Sequence, residues 1–149
     1  MITVNTSYQI APWADAIFAI DNEWWKKYIG DVIYQFSGRR FSSNNCAQVQ
    51  KIKIETYGNS GAAAISLAAK IKAKKIVLLG YDCKYSETGK RHWHGDHPAG
   101  LGNARNISNW FERFNQLAKD FPNTEIINAS RNTALECFKR QLLDEALCL

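Results

Sequence analysis

The sequence is poor in residues that break or cross-link small proteins, with three prolines and four cysteines among 149 residues. The cysteines form no CxxC pair and no metal-finger spacing, which excludes the common zinc modules and favours a reducing compartment. No apolar run approaches the ~20 residues that cross a bilayer, and nothing at the N-terminus resembles a signal peptide. Repeats, low-complexity tracts and Pro- or Ser-rich linkers are missing as well. We therefore expect a single cytoplasmic domain over residues 1–149, without membrane contact.

Basic side chains outnumber acidic ones by nineteen to fourteen, which gives a formal charge of +5 and favours anionic partners. The densest basic cluster, residues 70–75, closes a predicted helix, where cations interact favourably with the helix dipole. Because no RNP, helix-turn-helix or finger pattern accompanies it, we do not expect nucleic acid as the partner. A Walker A string and a GxGxxG motif are also missing, so ATP or dinucleotide binding of the usual kinds has no support. The charge thus favours anionic partners in general, and phosphorylated small molecules are among them.

Short apolar runs alternate with stretches of helical periodicity along the chain. Strands are predicted at residues 2–5, 16–20, 32–36, 52–54, 75–80 and 124–128, and helices from Asp21, at 62–72, at 108–119 and at 133–147. Residues 37–50 are polar and weakly periodic, which indicates a loop with room for short strands. The alternation is typical of a three-layer α/β fold, a mostly parallel sheet with helices on both faces. Residues 52–80 are its clearest strand–helix–strand unit, with an expected right-handed crossover.

Three of the five tryptophans lie close together in the sequence, at Trp13, Trp24 and Trp25. We interpret them mainly as core residues, with room for one at a subunit contact. The sequence leaves open whether the chain forms a homodimer.

Polar residues follow nearly every predicted strand, where open α/β sheets bind their ligands. Ser60, Gly61 and the N–H groups of the following helix are expected to form an anion site, while the Asn5 amide both donates and accepts hydrogen bonds. The alternative is that Ser60 only caps its helix and Asp82 only caps a turn. The candidate nucleotide-binding residues at these strand ends are Asn5, Asp21, Asn59, Ser60, Gly61, Gly80, Tyr81 and Asp82, with residues 128–130 at a further strand end.

All three histidines of the chain fall within residues 92–97. Imidazole moves protons near neutral pH, so this clustering indicates a functional loop with a histidine as acid or base. Lys90 and Arg91 precede the imidazoles and are suited to bind and neutralise a phosphate-bearing leaving group. We count Lys90, Arg91 and His92 among the nucleotide-binding residues.

The same segment matches HxHxDH, the pattern by which dinuclear hydrolases of the metallo-β-lactamase type hold zinc. That family also needs later histidine ligands, and no histidine follows His97. A complete dinuclear site cannot be built in that way, so no metal residue is assigned. A metal-dependent phosphodiesterase stays open as an alternative.

Three strings carry a resemblance to a group of small phage and prophage proteins: VNTSYQIAPWADAIFAIDNEWW at residues 4–25, GNSGAAAISLAAKIKAKKIVLLGYD at 58–82 and GKRHWHGDHPAGLGN at 89–103. That group in turn resembles the Rossmann-like enzymes that include bacterial CMP-sialic-acid-dependent sialyltransferases and archaeal-type 6-hydroxymethylpterin pyrophosphokinases. The resemblance implies a Rossmann-like fold and, for a phage product, the host cytoplasm.

In those sialyltransferases an Asn after a strand and a Ser-Gly at a helix start hold the cytidine nucleotide, and Asn5 and Ser60-Gly61 match these positions. Their catalytic base is a histidine beyond a strand that ends in Gly-x-Asp, here residues 80–82. The resemblance leaves undecided which of the three loop histidines corresponds. We favour His94 or His97, and we count Asp96 with them as catalytic candidates.

One departure from that pattern concerns the phosphates. The related enzymes usually begin with a strand and a Gly-Gly-Gly-Pro-Ser-like turn, whereas this sequence begins at the next strand, so we expect the first phosphate-binding strand and turn to be missing. Three explanations stay open: a shortened form, phosphates held by Lys90, Arg91 and the Ser60 helix, or a loss of transfer activity.

The sequence thus predicts a nucleotide or nucleotide-sugar binding protein of phage type. If it is active, we expect a glycosyltransferase-like or phosphate-group transferase with a loop histidine as acid or base. A protein that sequesters a nucleotide without turnover is the second reading. No cofactor is assigned beyond the nucleotide ligand itself.

Overall fold

The computed structural model describes residues 1–85, 101 and 107–148. The chain forms two compact units, Met1–Lys70 and Ile71–Leu149. Within the described residues no helix is long and apolar enough to cross a membrane. The expectation of one nucleotide-binding domain over the whole chain stays a prediction.

A four-stranded sheet organises the first unit, in the order β1 (Ile2–Val4), β2 (Ala16–Phe18), β3 (Arg39–Ser42) and β4 (Gln50–Lys51). Every neighbouring pair is parallel, with Val4 opposite Phe18 and Phe18 opposite Phe41. Parallel strands end at the same edge, so the residues that follow them share one side of the unit. β1 leads directly into a 3-10 turn, Asn5–Gln9.

Helix α1 (Asn22–Gln35) follows β2 and is longer than predicted. The predicted strand at residues 32–36 is wrong, because α1 continues to Gln35. The apolar residues Trp25, Val32 and Phe36 recur at helical spacing and are all buried, so the interior selects the helical period over the β-branched local preference. The indole N–H of Trp25 donates to the Ala19 carbonyl at 3.0 Å, which ties α1 to the end of β2.

Several shorter expectations also change in this unit. Residues 37–50, predicted as a loop with room for short strands, hold β3 and the first residue of β4. The strand predicted at residues 52–54 is wrong, because β4 ends at Lys51. The backbone N–H of Ile52 still donates to the Ser42 carbonyl at 2.8 Å, so the hydrogen bonding to β3 extends one residue beyond β4. Trp24 and Trp25 are core residues as interpreted, whereas Trp13 is 72% exposed.

Helix α2 (Ser60–Lys70) confirms the helix predicted here, although it ends two residues early. Its Ala- and Leu-rich side packs on the sheet, where Ala63, Ala64 and Leu67 join Phe18 and Phe41 in one buried cluster. Small side chains let the helix lie close to the strands, which fixes the start of α2 at this sheet.

The second unit holds a three-stranded parallel sheet, in the order β5 (Lys75–Leu78), β6 (Glu125–Asn128) and β7 (Lys139–Arg140). Helix α3 (Ile107–Asp120) lies between β5 and β6 in the sequence. Its residues Phe114 and Leu117 are buried. β5, α3 and β6 are confirmed within two residues of their predicted bounds.

The long final helix predicted at residues 133–147 is wrong. β7 occupies residues 139–140, and only α4 (Leu143–Leu147) is helical. Leu135 and Phe138 are buried in non-helical chain, and Asn128 pairs with Arg140 in the sheet. Tertiary contacts therefore override a segment rich in good helix formers.

The class prediction is confirmed at its coarse level: the chain combines helices with sheets of parallel strands. The strand–helix–strand unit expected over residues 52–80 does not form one sheet, since β4 pairs with β3 and β5 pairs with β6. The Rossmann-like assignment stays a prediction.

Candidate functional site

Asn5 directly follows β1 at the edge where the strands of the first sheet end. Its backbone has a φ of +49°, the left-handed region that asparagine tolerates better than most residues. Its side-chain oxygen Oδ1 is buried and accepts no hydrogen bond within the described chain. An unpartnered buried acceptor costs free energy, so Asn5 is a position where a hydrogen-bond donor from outside the chain would be stabilising.

The start of α2 lies at this same edge. Asn59 is the residue that caps the helix, because its Oδ1 accepts from the Ala62 N–H at 3.1 Å. Ser60 does not act as the cap: its Oγ accepts from the Ile20 N–H at 3.3 Å, two residues beyond β2. The positive end of the α2 dipole, at Ser60 and Gly61, therefore lies beside the ends of β1 and β2.

The Ile20 carbonyl is bonded by two residues that the sequence pattern did not indicate. It accepts from Asn44 Nδ2 at 2.9 Å and from the Ser42 hydroxyl at 3.4 Å. Ser42 ends β3 and Asn44 lies two residues beyond it, so a strand predicted at residues 39–42 would have marked both as strand-end polar residues. Their contacts fix the backbone between β2 and α1.

Asp21 stands at the N-cap position of α1, as predicted, with an exposed side chain. Its carboxylate makes no capping hydrogen bond, so only its backbone carbonyl serves the helix, accepting from the Trp25 N–H at 3.1 Å. Asn5, Asp21, Asn59, Ser60 and Gly61 thus all lie at the carboxyl edge of the first sheet.

A cavity of about 190 Å³ opens at the start of α1. The first turns of the helix and the loop after β3 line it, through Asn22, Trp25, Lys26, Ile29 and residues 45–47. The Cys46 thiol donates to Asn22 Oδ1 at 3.0 Å and joins the two walls. No sequence signal marked this cavity, because its two walls lie more than fifteen residues apart in the chain.

In the second unit, Tyr81 and Asp82 come after β5 as predicted, and Gly80, predicted as the last residue of that strand, also lies beyond it because β5 ends at Leu78. Gly80 has a φ of +74°, which glycine adopts without strain. The Tyr81 N–H donates to Ser130 Oγ at 2.8 Å, and the Asp82 carbonyl accepts from the Ala134 N–H at 2.8 Å. The backbone of these residues is therefore bonded to the segment after β6.

Thr133, the first residue of the helix predicted at residues 133–147, is the centre of that bonding. Its hydroxyl donates to the Tyr81 carbonyl at 2.6 Å and accepts from Asn128 Nδ2 at 3.2 Å and the Leu135 N–H at 3.0 Å. Asn128 Oδ1 in turn accepts from the Ser130 N–H at 3.1 Å. The polar groups expected at residues 128–130 are thus used within the fold.

Burial raises the pKa values of three side chains in this region. It raises the pKa of the Cys83 thiol to about 12, with smaller contributions from Cys137 and Asp82, and raises that of Cys137 to about 11. Burial also raises the pKa of the Tyr81 phenol, whose ring lies edge-on to Phe114 at 6.0 Å. All three groups are protonated near neutral pH, so none is a ready nucleophile.

The loop candidates Lys90, Arg91, His92, His94, Asp96 and His97 lie outside the described residues. Their predicted roles in phosphate binding and catalysis stay predictions. Within the part of the chain that is described, no group of three or more metal-ligating side chains is found.

Comparison with protein-family models, curated proteins and solved structures finds no match to this chain.

Proposed function

We propose that this chain binds a nucleotide or nucleotide sugar at the carboxyl edge of its first sheet, with a phosphate at the start of α2. The observation that carries the proposal is the buried Oδ1 of Asn5, which has no partner in the described chain. Asn5 follows β1, which pairs with β2. Just beyond β2, the Ile20 N–H donates to Ser60 Oγ at the start of α2.

Asn5 and the start of α2 would bind different groups of one ligand. A carbonyl oxygen needs a donor, and a phosphate dianion offers only acceptors, so Asn5 Oδ1 calls for a hydroxyl or an amine. The start of α2 presents the positive end of a helix dipole and favours an anion. A molecule that carries both groups close together, such as a sugar phosphate or a nucleotide, meets both needs.

Isothermal titration against CMP, CDP, UDP and GDP tests the proposal. At least one of these nucleotides is expected to bind, and the absence of binding to all four would refute the proposal. Ser60→Ala, which loses the hydroxyl beside the phosphate, and Asn5→Gly, which suits the left-handed backbone while removing the amide, are each expected to weaken binding. Loss of one net hydrogen bond corresponds to roughly 2–10-fold in Kd.

A matched control separates loss of the amide from relief of backbone strain. Lys72 is another non-glycine residue in the left-handed region, with a φ of +62°, and it is exposed in the second unit. Lys72→Gly is expected to leave the nucleotide Kd unchanged. Equal weakening by Lys72→Gly and Asn5→Gly would contradict the role given to the Asn5 amide.

For catalysis we extend the proposal to group transfer, in which the bond between the sugar and the nucleotide phosphate breaks and the sugar joins the oxygen of an acceptor hydroxyl or water. His94 or His97, with Asp96, would take the proton that the acceptor loses, and Lys90 and Arg91 would stabilise the leaving phosphate. His94→Ala and His97→Ala test this step: one of them is expected to abolish turnover of the bound nucleotide sugar while its Kd is kept. Tight binding with the ligand recovered intact from the unmodified chain would instead indicate sequestration.

A further inference from the structure

We propose that the cavity at the start of α1 takes the nucleobase of the bound nucleotide. The inference rests on the proposed function and adds a second contact region to it. All the residues concerned lie in the first unit, between α1 and the loop after β3.

The size of the cavity limits what it holds. At about 190 Å³ it is smaller than the ~300–1,000 Å³ of pockets that enclose a whole drug-sized ligand. It therefore suits one compact ring group rather than a complete nucleotide. The buried Trp25 and the half-buried Ile29 give it an apolar wall, as the faces of a flat ring require.

The charges at the cavity argue that this group is neutral. Lys26, the one cationic residue of the lining, has its Nζ 2.6 Å from Glu23 Oε1, so the lysine charge is offset within the same helix. Asn22 supplies the polar contact: because its Oδ1 accepts from the Cys46 thiol, its Nδ2 is left to donate to a ring carbonyl.

The cavity is also within reach of the phosphate position. The Ile20 N–H donates to Ser60 Oγ, and the Ile20 carbonyl accepts from Asn44 Nδ2. Asn22 lies two residues beyond Ile20, a chain distance of at most ~7 Å, and Asn45 adjoins Asn44. A ribose is the group that would bridge a phosphate at α2 and a ring beside Asn22.

Alkylation of Cys46 reports occupancy directly, because this thiol lines the cavity. The full-length protein is treated with iodoacetamide in the presence of UDP, GDP or inorganic phosphate, and each cysteine is followed by mass spectrometry. A nucleotide at ten times its Kd is expected to slow Cys46 alkylation about tenfold by mass action, and phosphate is expected not to. Cys148, exposed in the second unit, is the internal control and should react at an unchanged rate.

Two filling variants give a second readout. Ile29→Trp and Ala47→Phe occupy the cavity and are expected to weaken nucleotide binding at least tenfold, while Ile33→Trp, one turn along α1 and outside the lining, leaves it unchanged. Nucleotide binding that depends on Ser60 but neither protects Cys46 nor responds to the filling variants overturns this inference and keeps the proposed function. Absence of nucleotide binding overturns both.

Discussion

Replacing Thr133 by valine tests whether the polar residues at the end of the second sheet serve the fold. Valine keeps the branched shape but removes the hydroxyl, which uses its one donor and both acceptor positions on Tyr81, Asn128 and Leu135. Asn128 is fully buried and Leu135 is 1% exposed, so the N–H groups that lose their acceptor have little access to water.

The expected loss follows from those contacts. A buried donor left without a partner costs about 1–3 kcal/mol, and two such donors, partly offset by relaxation, give a loss of about 2–4 kcal/mol. For a chain of this length that corresponds to a fall in Tm of roughly 5–15 °C. Urea and thermal unfolding followed by circular dichroism measure both quantities.

Thr124→Val is the matched control in the same unit. Thr124 is also half-buried, but its hydroxyl makes no hydrogen bond within the described residues, so the change is expected to stay within about 0.5 kcal/mol. If Thr133→Val were no more destabilising than Thr124→Val, the network would not be structural, and residues 128–130 would return as ligand candidates.

Three further predictions concern stability. Gly38→Ala should destabilise by about 1–3 kcal/mol, because a Cβ there would clash with the backbone carbonyl oxygens of Ala14 and Asp15. Gly30→Ala, at an exposed position of α1, should stabilise by about 0.5–1 kcal/mol. Unfolding curves with the reverse order would contradict this. Asn59→Ala should cost about 1 kcal/mol through loss of the α2 cap, and Asn59→Asp should not, as thermal denaturation can measure. The Cys83 pKa, raised by burial from 9.0 to about 12, means that the folded chain holds this proton more tightly than the unfolded chain; stability is therefore kept below pH 9 and falls as the pH rises toward 12. Urea midpoints between pH 8 and 11, compared with those of Cys83→Ala, check that slope.

The sequence predicts well those elements whose local pattern agrees with their surroundings. α2 begins at its Asn-Ser signal, and β5 and β6 are short apolar runs with no competing period. The errors occur where packing selects against local preference: Val32 suits a strand but is buried in α1, and residues 133–138 suit a helix but lie in non-helical chain beside β6. Contacts between distant segments decide such cases, and no window of sequence contains them.

The candidate site shows the same limit at the level of single side chains. Asn5 comes after β1 and Asn128 ends β6, and both carry the same amide at the carboxyl end of a parallel strand. The local sequence pattern therefore does not distinguish Asn5 from Asn128.

Their neighbours make them different. Asn128 donates to Thr133 and accepts from Ser130, so both halves of its amide are used inside the fold. The buried Oδ1 of Asn5 has no such partner in the described chain. A substitution at Asn128 should therefore lower stability, and one at Asn5 should lower ligand affinity. Paired measurements of Tm and nucleotide Kd on Asn128→Gly and Asn5→Gly would separate the two roles, and the same loss of stability at both positions would remove the reason for assigning Asn5 to a ligand.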